Sequence, residues 1–271
     1  MLDWYQRPLT TLAFVWRLER RDGVTMGFTS HDHDLTRGDL IYRATPGLVP
    51  SAIERSDGLD ADTIELAGAL TSDALRSEDL LSGRWDGASL WVSAVDWRDD
   101  AAPPVLLVRG ELGSVDVKDN GFSAELRGIT TILDMPVVEE TSPACRASLG
   151  DKKCQIDLAG LQTFAHVTVH SSGDIHINTA AVVADGIYAF GSVRWIDGPN
   201  AGMISRIVNN VGASLQLREP AAFPVLPDTR VLLTQGCDRR FTTCVNRFAN
   251  APNFRGEPHV PGNDLLTRYA S

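Results

Sequence analysis

Cys145, Cys154, Cys237 and Cys244 are the only thiols in the 271-residue chain; they run C-x8-C, an interval of 82 residues, then C-x6-C. Thiolates bind zinc and iron–sulfur clusters in preference to harder ions. The interval holds nearly all of a β-patterned segment, so one four-ligand centre would draw the ends of that segment together. Ser142-Pro143 has the form of a helix start and Gly150 of a stop, which predicts Cys145 in the first turn of a short helix, where a thiolate is favoured. Asp238 to Phe248 also has helical spacing. If that helix ran back through Cys237, its Cα would lie about 10.5 Å from that of Cys244, beyond the reach of a disulfide. A multi-atom cluster spans such a separation more readily than a single tetrahedral ion, and the C-x2-4-C knuckles of structural zinc are absent. The spacing therefore favours iron–sulfur, with zinc as the alternative. Arg146, Lys152, Lys153, Arg239 and Arg240 crowd the cysteines and are expected to depress their pKa values. The residues alone leave open four unconnected thiols, buried as small apolar groups or simply exposed.

Other chemistry is thinly represented. His31-Asp32-His33-Asp34 could offer two ligands on one face of a strand, but these residue types also form turns, and surface or interface hydrogen bonding is the plainer expectation. His166, His170 and His176 stand in polar alternating contexts and are expected to be solvated. The G-x-S-x-G, G-x-x-x-x-G-K-[ST] and H-E-x-x-H patterns are missing, as is a G-x-G-x-x-G between strand and helix, so no catalysis is expected. Trp85, Trp91 and Trp97, three of six tryptophans, suit core or interface anchors better than a carbohydrate surface. The rival from another class is an iron–sulfur redox or electron-transfer protein using the same cysteines. The wide ligand gap and the lack of a second cofactor motif speak against it.

The elements that must position these residues read as mainly β. Leu12, Phe14, Trp16 and Leu18 alternate with Thr11, Ala13, Val15 and Arg17, the pattern of a half-buried strand; Arg21-Asp22-Gly23 then turns the chain into a returning strand around Val24, Met26 and Phe28. A short helix is predicted from Ser77 as its cap to Gly83 in a left-handed stop. Strands follow at Ser89 to Trp97 and Val105 to Arg109, then a hairpin around Asn120-Gly121. From Thr163 a second β segment forms a small barrel or sandwich, with a turn at Asp197-Gly198-Pro199-Asn200-Ala201-Gly202, ending in Val231, Leu232 and Leu233 just before Cys237. The tail from Asn250 to Ser271, rich in Pro and Gly, is expected to run extended over something else. Two β-rich domains result: 1–138, and a barrel or sandwich at 163–233 inserted into a short helical, cysteine-bearing region made of 139–162 and 234–271.

Hydrophobic residues make up 43% and charged residues 22% of the chain, and the mean hydropathy is −0.09, which suits a globular protein with a sizeable core. A net charge of −10 has the wrong sign for tight nucleic-acid binding. No apolar run reaches the roughly 20 residues of a spanning helix, and no signal peptide is visible. The expectation is folding in the cytoplasm, where disulfides do not persist.

Several blocks resemble the hub proteins of gene transfer agents and related prophage tails: Gly27-Phe28-Thr29-Ser30-His31-Asp32-His33-Asp34-Leu35, Gly83-Arg84-Trp85-Asp86-Gly87-Ala88, Cys145 to Cys154, and Cys237 through Asn253-Phe254-Arg255-Gly256 to His259-Val260-Pro261-Gly262. The resemblance covers essentially the whole chain, and its last part is also similar to the cysteine-bearing end of the lambdoid phage tail-tip L protein. It implies a non-enzymatic component of a virion tail baseplate, assembled in the bacterial cytoplasm. It implies a homotrimer between a distal tail ring and a larger tip or fibre protein, with a cell-wall peptidase of the tail as a further neighbour and DNA passing through the ring. The same likeness implies an iron–sulfur cluster, taken as [4Fe-4S], on Cys145, Cys154, Cys237 and Cys244.

Overall fold

A computed structural model describes residues 11–44, 48–50, 63–69, 76–118, 121–128, 138–169 and 174–260. The chain divides into two compact units, residues 1–137 and 138–271. In the first unit the described strands form one sheet in the order β3-β4-β2-β1-β7-β8-β9-β6-β5. They are β1 (Leu12–Glu19), β2 (Thr25–Thr29), β3 (Leu35–Arg37), β4 (Leu40–Arg43), β5 (Leu48–Pro50), β6 (Thr63–Ala69), β7 (Ser89–Asp96), β8 (Val105–Lys118) and β9 (Gly121–Arg127). The pairs are antiparallel except β2 with β4. The opening hairpin forms as its sequence predicts: Glu19 pairs with Thr25, and Gly23 takes the left-handed φ of +89° that the turn requires.

β1 departs from a half-buried strand. Trp16 and Leu18 enter a core with Phe28, Leu80, Trp85, Leu90 and Leu126. Ala13 and Val15, on the other face, are buried with Leu35 and Val95 and packed by Tyr42 and Trp97. The strand is thus covered on both sides where long-range partners reach it. Helix α1 (Ser77–Leu81) has Arg76, not Ser77, at its cap position, and Gly83 ends it with φ +74°. The Gly83-to-Ala88 block is a plug for the core, because Trp85 is 2% exposed and Ala88 1%. β8 and β9 close on a Lys118–Gly121 pair; Asn120 lies outside the described residues.

The second unit holds a closed barrel in the order β10-β11-β14-β13-β12-β15. Its strands are β10 (Gln162–Val169), β11 (Ile175–Ile177), β12 (Ser192–Trp195), β13 (Ile204–Val211), β14 (Ser214–Leu217) and β15 (Thr229–Thr234). Closure, made by pairing β10 with β15, leaves no open sheet edge. Val167, Ile175, Val193, Trp195, Leu215, Val231 and Leu233 fill the interior. Residues 185–190 form a turn ahead of β12. The side chain of Asn210, 1% exposed, accepts from the Tyr188 amide and donates to the Ala184 carbonyl. Gly236 packs where no side chain fits: an added Cβ would lie 2.0 Å from the Ala189 carbonyl oxygen. That close approach fixes the exit of β15 immediately before Cys237.

Candidate four-thiol site

Cys145 sits in a loop rather than the predicted helix. Its amide donates to the Arg239 carbonyl at 2.8 Å and the Arg146 amide to the Arg255 carbonyl at 2.9 Å. The Ser142 amide donates to the Glu257 carboxylate at 2.8 Å. The loop's backbone groups are therefore taken by segments about a hundred residues away, and a helix would leave those segments unpaired. Cys154 follows a turn built on Asp151, whose carboxylate accepts from the amides of Ser148, Lys153 and Cys154. These bonds, that of Cys154 foremost, hold the Asp151 carboxyl below the usual range.

Cys237 lies between Gly236 and a left-handed Arg239, φ +61°. Helix α2 covers only Phe241–Asn246, so it does not reach Cys237, and a separation computed along one continuous helix does not apply. Cys244 is on α2 and 8% exposed. Arg247, just past α2, donates to the carbonyls of Gly236 and Ile187 and to Gln235, tying the helix to the barrel exit.

These routes bring all four cysteines to the wall of one cavity with Ala147, Ile156 and Phe254, enclosing about 350 Å³ of empty space including its open side. All four are free thiols. Donors point at three of the sulfurs: the Arg255 amide at Cys145, 3.4 Å; the Arg239 amide at Cys237, 3.4 Å; and the Asn250 Nδ2 at Cys154, 3.8 Å. The Cys244 thiol donates to the Asn250 carbonyl at 3.4 Å. Four soft donors around an apolar pocket, with N–H groups directed at the sulfurs, fit a thiolate-ligated metal centre.

The predicted fall in thiol pKa is not found at Cys237 or Cys244. Burial pushes both up; at Cys237 the Arg239 amide opposes the rise, while neighbouring thiols add to it at each. Some of the expected cations are engaged elsewhere. Arg146 makes a two-pronged pair with Glu257 at 2.7 and 2.8 Å, and both Arg146 and Lys153 pair with Glu139. The Arg146 pair, helped by the Ser142 amide, holds the Glu257 carboxyl down at about 2. A bound metal cation would itself deprotonate the thiols.

Asn250 and Glu257 are site residues that the sequence reading left unassigned. Asn250, 8% exposed, donates to the Cys154 carbonyl at 2.7 Å, and Asn253 donates to its Oδ1 at 2.7 Å. The sequence around Asn250 shows only an Asn six residues after Cys244 at the start of a tail rich in Pro and Gly; its burial comes from the fold. The described part of the tail, residues 250–260, turns once at Ala251–Asn253 and then meets the first arm, where the Arg255 carbonyl and the Glu257 carboxylate accept from the Arg146 and Ser142 amides. Outside the barrel, among residues 138–161 and 235–260, only Ala147, Gly236, Cys244 and Asn250 are buried. These arms have no apolar core of their own.

His31, Asp32 and His33 form a separate group whose ligand atoms lie within 4.8 Å of one another. Asp32 Oδ1 contacts the Nδ1 of His33 at 2.8 Å and that of His31 at 3.1 Å, and the His31 ring packs on Trp97 at 4.8 Å. Asp34 accepts from the Ala44 amide. The string is a hydrogen-bonded surface loop. His166 contacts Asp228 at 3.2 Å and is half exposed; His176 is partly buried on β11, and His170 lies outside the described residues.

The family described as baseplate hub protein, N-terminal attachment domain, matches residues 1–157. A family described as a phage conserved hypothetical protein matches residues 186–264. Among solved structures, a chain of the virion of a native gene transfer agent particle is 35% identical, with a TM-score of 0.86; the match covers 99% of this chain and 94% of that one. Comparison with curated proteins gives no match.

Proposed function

The chain belongs to the baseplate hub protein family, and from that premise we propose that it is a non-catalytic hub subunit of a gene-transfer-agent-like tail, stapled by an iron–sulfur cluster on Cys145, Cys154, Cys237 and Cys244. In this reading 1–138 is the attachment domain, 139–162 and 234–271 are the cysteine-bearing arms, and 163–233 is the insert whose ends the arms hold. The subunit acts as a homotrimer between the distal tail ring and the larger tip or fibre protein, beside the tail's cell-wall peptidase. A net charge of −10 suits a ring that DNA passes without adhering.

One observation carries the staple: four reduced thiols from two arms that lack an apolar core line a single cavity. A bound cluster would supply covalent links between the arms, a role that small regions without a core commonly give to metal. The chain's own groups prepare that geometry. Asn250 spans Cys154 and Cys244, and the Arg146–Glu257 pair clasps the first arm to the tail. The test is the colour, iron, sulfide and zinc content of protein purified without oxygen. Broad visible absorbance with iron and sulfide is expected. Zinc alone would replace the cluster by an ion, and a colourless, metal-free folded protein would overturn the staple.

A further inference from the structure

Along the barrel wall, interior and exterior side chains alternate. Val167, Val193, Trp195, Val231 and Leu233 point inward, so the residues between them face out. The register places four of these side by side: Phe164 is opposite Leu232, Leu232 opposite Arg194, and Arg194 opposite Ile204. They make one row across β10, β15, β12 and β13, roughly 14 Å from end to end at about 4.8 Å per strand. Phe164 is 76% exposed and Ile204 61%. Phe164 and Leu232 on one side of Arg194 and Ile204 on the other are large apolar side chains turned outward on a closed barrel, where they do nothing for the barrel's own core; exposed apolar groups set together in this way mark interaction sites.

Charge narrows what fits there. Arg194 lies within the row, and Arg206 lies in the adjacent row, opposite Ser192. Both are exposed, and neither guanidinium has an ion-pair partner among the described residues. On the other side of the row Arg230 is already paired with Asp197 at 2.7 Å. The face is thus apolar with two unpaired cations. A second copy meeting it face to face about a two-fold axis would set this arginine-bearing face against itself; a head-to-tail contact between copies of the proposed homotrimer is the other occupant, and the test below separates the two. We infer that the Phe164–Leu232–Arg194–Ile204 row is a docking surface for a different virion protein, one that presents an apolar ridge flanked by carboxylates. This rests on the hub reading above and adds to it the face and the chemistry of one neighbour.

The test incorporates the photocrosslinking residue p-benzoylphenylalanine in place of Phe164 in the full chain, irradiates assembled particles and maps the adduct by mass spectrometry. The expected adduct joins this chain to another virion protein, at a peptide carrying Asp or Glu within about five residues. The Arg194→Glu/Arg206→Glu variant is expected to lower the adduct yield about tenfold or more with no change in thermal midpoint, since both side chains are solvent-exposed. An adduct with a second copy of this chain, one with a peptide free of carboxylates, or none in particles that contain the chain would overturn the inference. So would an undiminished yield from the double arginine variant. Particles that assemble normally without the chain would instead count against the hub reading.

Discussion

Replacing Cys145 and Cys154 together by Ser removes the first arm's share of the proposed staple and leaves the second arm intact. The interval between Cys154 and Cys237 is 82 residues, the whole barrel with its connections. Cross-linking a loop of that size restricts the unfolded chain by about 4.5 kcal/mol. Binding energy released when metal is lost on unfolding adds to this figure. The second unit spans residues 138–271, for which typical unfolding entropies imply about 0.28 kcal/mol per degree at the midpoint. The variant's thermal midpoint is therefore expected to fall by about 16 °C, read as loss of the Trp195 fluorescence signal from the barrel interior. Chelation of the native protein should give a similar shift. A variant that has lost its metal yet melts within about 3 °C of the parent would refute the reasoning, because a staple closing such a loop cannot be that weak.

Two further outcomes follow from the same geometry. Asn250→Asp keeps the shape of the side chain, removes the N–H aimed at Cys154 and places a carboxylate beside four sulfurs; metal loss to a chelator should become about 10- to 100-fold faster, and an unchanged rate would remove Asn250 from the site's support. Glu257 titrates at about 2 rather than the ordinary 4.5 because Arg146 and the Ser142 amide hold its charged form. A depressed carboxylate contributes stability above its unfolded pKa that is lost as pH falls through the folded one. The melting temperature should therefore drop between about 4.5 and 2, and Glu257→Gln should flatten that part of the profile; superimposable profiles would show that the clasp contributes nothing.

Local chemistry made some elements legible. Arg21-Asp22-Gly23 turns the chain because Gly23 accepts a positive φ, and Gly83 stops α1 for the same reason. The barrel strands show in their alternation, since one face of each is dry. What sequence could not show was set by partners far along the chain. The second face of β1 is buried because Leu35 and Val95 reach it. The Ser142-Pro143 start never becomes a helix because Arg239 and Arg255 claim the neighbouring backbone. Proximity of cations in sequence also misled: Arg146 and Lys153 turn to carboxylates, and burial decides the titration of Cys237 and Cys244. Asn250 carries no periodic signal, being a polar residue in a coil.

The separation of the sulfurs bears on which centre the arms can hold. A tetrahedral zinc ion with Zn–S bonds of about 2.3 Å keeps its sulfurs about 3.8 Å apart. Among the described residues the only group with ligand atoms all within 4.8 Å of one another is His31, Asp32 and His33; no three cysteine sulfurs form one. A single ion would have to draw the arms inward, against the Gly236 contact and the Arg247 bonds that fix the exit of the barrel. A multi-atom cluster, the centre proposed above, spans more widely set thiolates than one ion does. The donors at Cys145 and Cys237 are backbone amides held by the fold, so this geometry does not depend on mobile side chains. Donors fixed in this way are what the proposed staple between the two arms requires.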